Sequence, residues 1–150
     1  MPKIVMFFFS SFNHDKETEG IYVYELDTLK GKLSKVTSVK RILDPSFLTL
    51  SPNGKYVFAC TESKTKNAGR VSSFEFNPEK KSLTFINSQK SGGENPVYAV
   101  VQQNGKWLIN GNYTEGSASV YPISENGCIQ PTLRSFIPVP ISFLHDRSLR

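Results

Sequence analysis

One stretch of this chain occurs twice. Residues 96–123 read PVYAVVQQNGKWLINGNYTEGSASVYPI; residues 45–62 read PSFLTLSPNGKYVFACTE and are followed, after a spacer, by GRVSSFEF. Pro45 corresponds to Pro96, Asn53-Gly54 to Asn104-Gly105 and Tyr56 to Trp107, all at an offset of 51, and Phe74 corresponds to Tyr121 at an offset of 47. Each copy carries four short apolar runs. One such copy cannot bury its apolar face alone, so copies must stack on one another. A period of about 50 residues with four strands per copy is the pattern of a β-propeller blade.

The fold class is therefore all-β, with blades of four antiparallel strands. Propeller rings close with about four to eight blades. At about 50 residues each, a chain of 150 residues holds roughly three, an incomplete propeller. The aromatic run Ile4–Phe12 reads as a fully buried strand, and IYVYELD follows Gly20 as the next. Residues 33–42 read as a more polar outer strand. In the next blade, 45–50 is the inner strand, 55–61 returns, 71–76 is third and 83–87 fourth. The following blade repeats this with 97–101, 106–110, 118–123 and a fourth strand at Cys128–Leu133. Asn53-Gly54 and Asn104-Gly105 are expected as type I′ hairpin turns. No run holds a helical period over 11 or more residues.

The chain's end departs from the repeat. SFIPVPISFLHDRSLR has two prolines inside an apolar run, which suits neither a central strand nor a helix. The domain organisation is thus a partial propeller over 1–133 and an atypical segment over 134–150. That segment is either an irregular terminal strand or a non-native tail.

The formal net charge is +5, from 18 Lys and Arg against 13 Asp and Glu, scattered along the chain. This suits a small anionic ligand and gives no nucleic-acid patch. Cys60 and Cys128 fit no metal spacing, and Cys60 lies in an apolar run as a buried thiol. No segment approaches a membrane span, and residues 4–9 are too short for a secretory leader. A cytoplasmic protein with no cofactor and no metal is the expectation. Open blade edges are an aggregation liability, so self-association is expected too.

The blade scheme separates two faces. Tight Asn-Gly turns lie on one; the loops 62–69 and 111–116 and the links around 44 and 89–95 lie on the other. Function concentrates on loops held by a rigid scaffold. The candidates at the channel mouth are Asp44, Glu62, Glu94, Asn95, Asn112 and Tyr113. Capping of strands and loops by hydrogen bonds is the bland alternative for each. His14, in a polar loop, and His145, in the terminal segment, read as solvated.

The motifs GIYVYELD with GKL following, PSFLTLSPNGKYVFACTE, GRVSSFEFNPE, LTFINSQKSGGENPVYAVVQQNGKW and NYTEGSASVYPI carry a resemblance. Over residues 4–130 the chain resembles the seven-bladed propeller lactonases, a family with propeller-type 6-phosphogluconolactonases and carboxymuconate lactonizing enzymes. The resemblance implies hydrolysis of a sugar-acid lactone such as 6-phosphoglucono-δ-lactone in the intact enzyme, of which this chain is an N-terminal fragment. Such a reaction needs a base to activate water and donors to hold an oxyanion. The family's catalytic histidine, arginines and glutamate fall beyond this chain, which contains no Pro-His pair. Glu62 and Asn112-Tyr113 match family positions at the channel mouth, as substrate-binding or supporting groups. A non-catalytic propeller module that binds a partner is the rival reading.

Overall fold

A computed structural model describes residues 3–136. The terminal segment beyond residue 136, with His145, lies outside the described residues. Eleven strands form three antiparallel sheets. Blade 1 is β1 (Ile4–Ser10), β2 (Ile21–Asp27) and β3 (Lys32–Val39). Blade 2 is β4 (Leu48–Leu50), β5 (Tyr56–Thr61), β6 (Arg70–Asn77) and β7 (Ser82–Lys90). Blade 3 is β8 (Pro96–Val101), β9 (Trp107–Asn112), β10 (Ser117–Pro122) and β11 (Arg134–Phe136). Each blade is an up-and-down meander, and the chain is an incomplete β-propeller.

Blade 2 sits in the middle, and its sequence shows why. In β5, Val57 and Ala59 face blade 1 while Phe58 and Cys60 face blade 3, and all four are fully buried. A strand covered on both faces reads as an unbroken apolar run rather than an alternation. The first interblade core joins Ile21, Val23, Val57, Phe74 and Phe76, with Phe8 edge-on to Phe76 at 5.1 Å. The second joins Phe58, Cys60, Val71, Leu108, Tyr121 and Ile129.

Three expectations are corrected. The first concerns β1, which is not fully buried: Ile4, Phe7 and Phe9 are 48%, 39% and 44% exposed. A β-bulge puts Val36 of β3 opposite the Val23–Tyr24 step of β2, and Ile86 of β7 opposite the Ser73–Phe74 step of β6, so β2 corresponds to β6 and β1 to β5. Blade 1 therefore has no counterpart of the inner strands β4 and β8 among the described residues, and one face of β1 lies uncovered.

The second correction concerns the Asn-Gly turns. Gly54 and Gly105 have positive φ, but Asn53 and Asn104 do not. Gly54 N–H donates to the Ser51 carbonyl at 2.9 Å, and Gly105 N–H to the Gln102 carbonyl at 2.8 Å. Each is a type I turn followed by a left-handed glycine, with the Asn side chain accepting the N–H of Lys55 or Lys106. Pro52 stands at the second position, where its fixed φ suits a type I turn.

The third concerns the last strand of blade 3, which is Arg134–Phe136 rather than Cys128–Leu133. The backbone of Ile129 is occupied elsewhere. Its N–H donates to Asn87 Oδ1 at 2.9 Å, and its carbonyl accepts from Asn87 Nδ2 at 2.7 Å and Gln89 Nε2 at 3.1 Å. Its side chain is fully buried between the blades. Pro131 has no N–H to give a ladder, and pairing with β10 resumes at Arg134.

Candidate functional site

The two faces separate as the blade scheme requires. The turns at 51–53, 103–106 and 123–125 line a recess of about 460 Å³ on one face. On the other, Glu62, Asn67, Ala68, Gly69, Arg70, Lys90 and the 92–94 link line a cleft of about 510 Å³ between blades 2 and 3.

Strand register makes Phe12, Glu62 and Tyr113 equivalent positions, each just past the second strand of its blade. Phe12 is 41% and Tyr113 75% exposed. Glu62 holds a φ of 53°, an uncommon backbone for a residue with a side chain. Its N–H donates to the Leu43 carbonyl at 2.7 Å, tying the loop to the link that precedes β4. Lys64 Nζ lies 4.0 Å from the Phe12 ring centroid, a cation–π contact.

Asp44 and Asn95 end equivalent links, immediately before Pro45 and Pro96, and both have positive φ. Asp44 is 5% exposed. Its N–H donates to Asn13 Oδ1 at 2.9 Å, and its carbonyl accepts from Ser63 N–H at 3.3 Å. Its Oδ1 accepts the His14 N–H at 3.1 Å and lies 3.3 Å from His14 Nδ1. The His14 side chain itself is 72% exposed. The Asn95 carbonyl accepts Tyr113 N–H at 2.9 Å.

Asn112 is buried and its amide is engaged: Nδ2 donates to the Ser91 carbonyl and to Ser117 Oγ, both at 3.0 Å, and Oδ1 accepts from Asn110 Nδ2 at 2.8 Å. Asn110 is fully buried, and its Oδ1 has no partner. Ser117 Oγ donates in turn to Glu115 Oε1 at 2.6 Å, and Glu115 accepts Glu94 N–H. The Ser117 hydroxyl holds the Glu115 carboxyl below the usual carboxylate range. Thus Asn112 braces the 91–95 link from beneath, whereas Glu62 and Glu94 are half-buried along the cleft and Tyr113 is exposed.

The structure brings Asp44 and Glu62 together through the Ser63 and Leu43 backbone contacts, and Glu62 and Glu94 along one cleft. Asn95 and Tyr113 are joined on the blade 3 side. Sequence reading missed the His14–Asp44 pair, because the partners are 30 residues apart and belong to different elements. It also missed Lys64, Arg70 and Lys90, although Arg70 and Lys90 lie within the sequence motifs. Arg70 is fixed by Nε donating to Ser88 Oγ at 2.8 Å and faces Lys90 across the β6–β7 ladder. The buried thiol offers no nucleophile: burial pushes Cys60 up to about 12. Among the described residues no group of three metal-ligating side chains gathers, and no helix is long and apolar enough to cross a membrane.

Comparison with known proteins agrees with this architecture. The family model for a seven-bladed β-propeller lactonase matches residues 6–137. The chain is 36% identical over 123 residues to a 6-phosphogluconolactonase of Formosa agariphila, covering 82% of this chain and 35% of that one. It is 28% identical over 113 residues to the 6-phosphogluconolactonase of Bacillus subtilis, covering 75% and 32%. The periplasmic gluconolactonase of Pseudomonas aeruginosa superposes with a TM-score of 0.78 at 25% identity, over 89% of this chain and 39% of that one. The chain thus spans about a third of the length of the relatives it matches. With its repeat, its meander blades and this match over most of its length, the chain belongs to the seven-bladed β-propeller lactonase family.

Proposed function

We propose that this chain is one part of a lactonase that hydrolyses a sugar-acid lactone, with 6-phosphoglucono-δ-lactone the substrate expected from its relatives. The observation that carries the reading is the family match over residues 6–137, which includes the whole loop face. That face has features an anionic, hydroxyl-rich lactone would use. Glu62 and Glu94 can accept hydroxyl groups, while Arg70 and Lys90 line the same cleft and supply positive charge, and Lys64 adds a further cation over the Phe12 ring. Asp44, Asn95, Asn112 and Tyr113 act as binding or supporting groups: Asp44 and Asn112 by holding neighbours in place, Tyr113 by offering an exposed ring. A cytoplasmic location fits two free cysteines, one of them buried.

The test is turnover of 6-phosphoglucono-δ-lactone by the purified chain, followed by pH-stat against the spontaneous rate. Turnover above background, lost on Glu62→Gln and Lys64→Ala, bears out the reading. A rate equal to background refutes catalysis by this chain. Calorimetric binding of 6-phosphogluconate without turnover would instead support the rival reading, a propeller module that binds without catalysis.

A further inference from the structure

We propose that the loop face carries a two-part site for a phosphorylated polyhydroxy acid. Lys16, Arg41 and Arg70 hold the phosphate in a recess between blades 1 and 2, and the adjoining cleft takes the hydroxyl-bearing body; the nature of that body rests on the lactonase reading above. Two cavities meet here. The cleft between blades 2 and 3 has about 510 Å³, within the usual range of roughly 300–1,000 Å³ for a small-molecule pocket. The recess has about 110 Å³, which suits one small oxyanion rather than a whole sugar acid. Glu62 and Arg70 line both, so the two spaces join at these side chains.

The recess is basic. Its charged lining is Lys16, Arg41, Arg70 and Glu62, three cations against one carboxylate. Among the described residues none of the three cations lies in an ion pair. Asp15, next to Lys16, is turned back onto its own loop, where it accepts the N–H groups of Glu17 at 2.8 Å and Thr18 at 2.7 Å. A phosphate monoester brings a charge of about −1.5 to −2 at neutral pH, together with strong acceptor oxygens, and so balances the excess of positive charge. The cleft differs. There Glu62 and Glu94 offset Arg70 and Lys90, and carboxylates in such a setting accept sugar hydroxyls.

The segments that carry these groups are laced together without a ligand. Arg41 N–H donates to the Lys16 carbonyl at 2.8 Å, and Glu62 N–H to the Leu43 carbonyl at 2.7 Å. Arg41 and Glu62 hold φ of 62° and 53°, left-handed backbone that residues with side chains seldom adopt. Arg70, half-buried at the start of β6, is fixed along one edge of its guanidinium. Nε donates to Ser88 Oγ at 2.8 Å and Nη2 to the Ser88 carbonyl at 3.3 Å, which leaves Nη1 without a partner among the described residues. A planar guanidinium held this way is preorganised to grip a phosphate with its remaining donors.

The matched pair 6-phosphogluconate and gluconate, titrated calorimetrically into the purified chain, tests the recess with no need for turnover. 6-Phosphogluconate should bind about tenfold or more tighter than gluconate, and inorganic phosphate should displace it. Arg70→Gln and, separately, Arg41→Gln should each weaken 6-phosphogluconate about fivefold or more and leave gluconate within about twofold. Arg41 is exposed, so its variant keeps the fold even if replacing half-buried Arg70 does not. On 6-phosphoglucono-δ-lactone the same variants should raise KM and leave kcat within a few-fold, with rates on glucono-δ-lactone little changed. Binding that follows this pattern without turnover would remove catalysis by this chain and leave the phosphate site standing. Turnover of both lactones with equal kcat/KM, untouched by Arg70→Gln and Arg41→Gln, would keep the lactonase reading and overturn the site. Equal affinity for the two acids, equal losses for both in Arg41→Gln, or no binding of 6-phosphogluconate would overturn it as well.

Discussion

Gly127 shows how much one residue can be held by its surroundings. It has a φ of 79°, and a Cβ there would run into the Tyr56 ring, whose hydroxyl donates to the Glu125 carbonyl at 3.0 Å. Gly54 has a similar φ of 71° but open space around it. Gly54→Ala should cost about 1 kcal/mol, the strain of a left-handed alanine. Gly127→Ala should cost about 2–4 kcal/mol, since steric overlap adds to that strain. Urea unfolding of the two variants checks the difference; equal costs would mean the ring moves aside freely. Titration gives a second prediction at this scale. The hydroxyls of Thr18, Ser38 and Ser117 hold the Asp15, Glu19 and Glu115 carboxyls below their usual range. A depressed carboxyl adds stability above its unfolded value and loses it as pH falls. Burial raises Cys60 and Tyr121 to about 12 from 9.0 and 10.0, so their contribution is present below about pH 9 and is lost as pH climbs toward 12. The urea midpoint should therefore be flat between about pH 5 and 9 and fall on both sides. Cys60→Ala should soften the alkaline limb and leave the acid limb unchanged.

Among elements, the segment before β11 is the informative one. Its apolar residues predict a strand, yet the Asn87 carboxamide captures the Ile129 backbone from the neighbouring blade. Asn87→Ala leaves a buried N–H and carbonyl short of partners, which costs about 1–3 kcal/mol. Exchange of the Ile129 amide hydrogen should accelerate in that variant well beyond the loss in global stability. Unchanged Ile129 protection would show that the apolar side chain alone holds the segment. The repeat made β4–β10 legible, because strand periodicity and Asn-Gly turns are local signals. Asn87 could not be identified that way, since its partner is 42 residues distant and the contact crosses between blades.

At the scale of the molecule, the three blades leave two outer faces open among the described residues. Phe7 and Phe9 stack at 6.2 Å, with Tyr24 edge-on to Phe9 at 5.7 Å, on one side of blade 1. On blade 3, Tyr98, Val100 and Ile109 are 52%, 37% and 39% exposed. Exposed apolar faces and an edge of β1 that is unpaired among the described residues promote association. The isolated chain is expected to sediment as oligomers, and Phe7→Ser with Phe9→Ser should raise the monomer fraction. A monodisperse wild-type monomer in analytical ultracentrifugation would contradict this.

The blade repeat, the all-β class and the division into a turn face and a loop face were all present in the sequence. Strand period, turn chemistry and repeat offset act over a few residues and leave their mark in composition. The family resemblance rests on the same local motifs. What only the tertiary structure decided is which side chains meet. His14 read as a solvated loop residue until Asp44, arriving from another element, was found to accept its backbone N–H; Asn112 read as a mouth residue until its amide was found engaged beneath the link. Such pairings are set by how blades stack and links cross. Each partner alone carries no trace of the other, because the contact is made by geometry that the chain acquires only once folded.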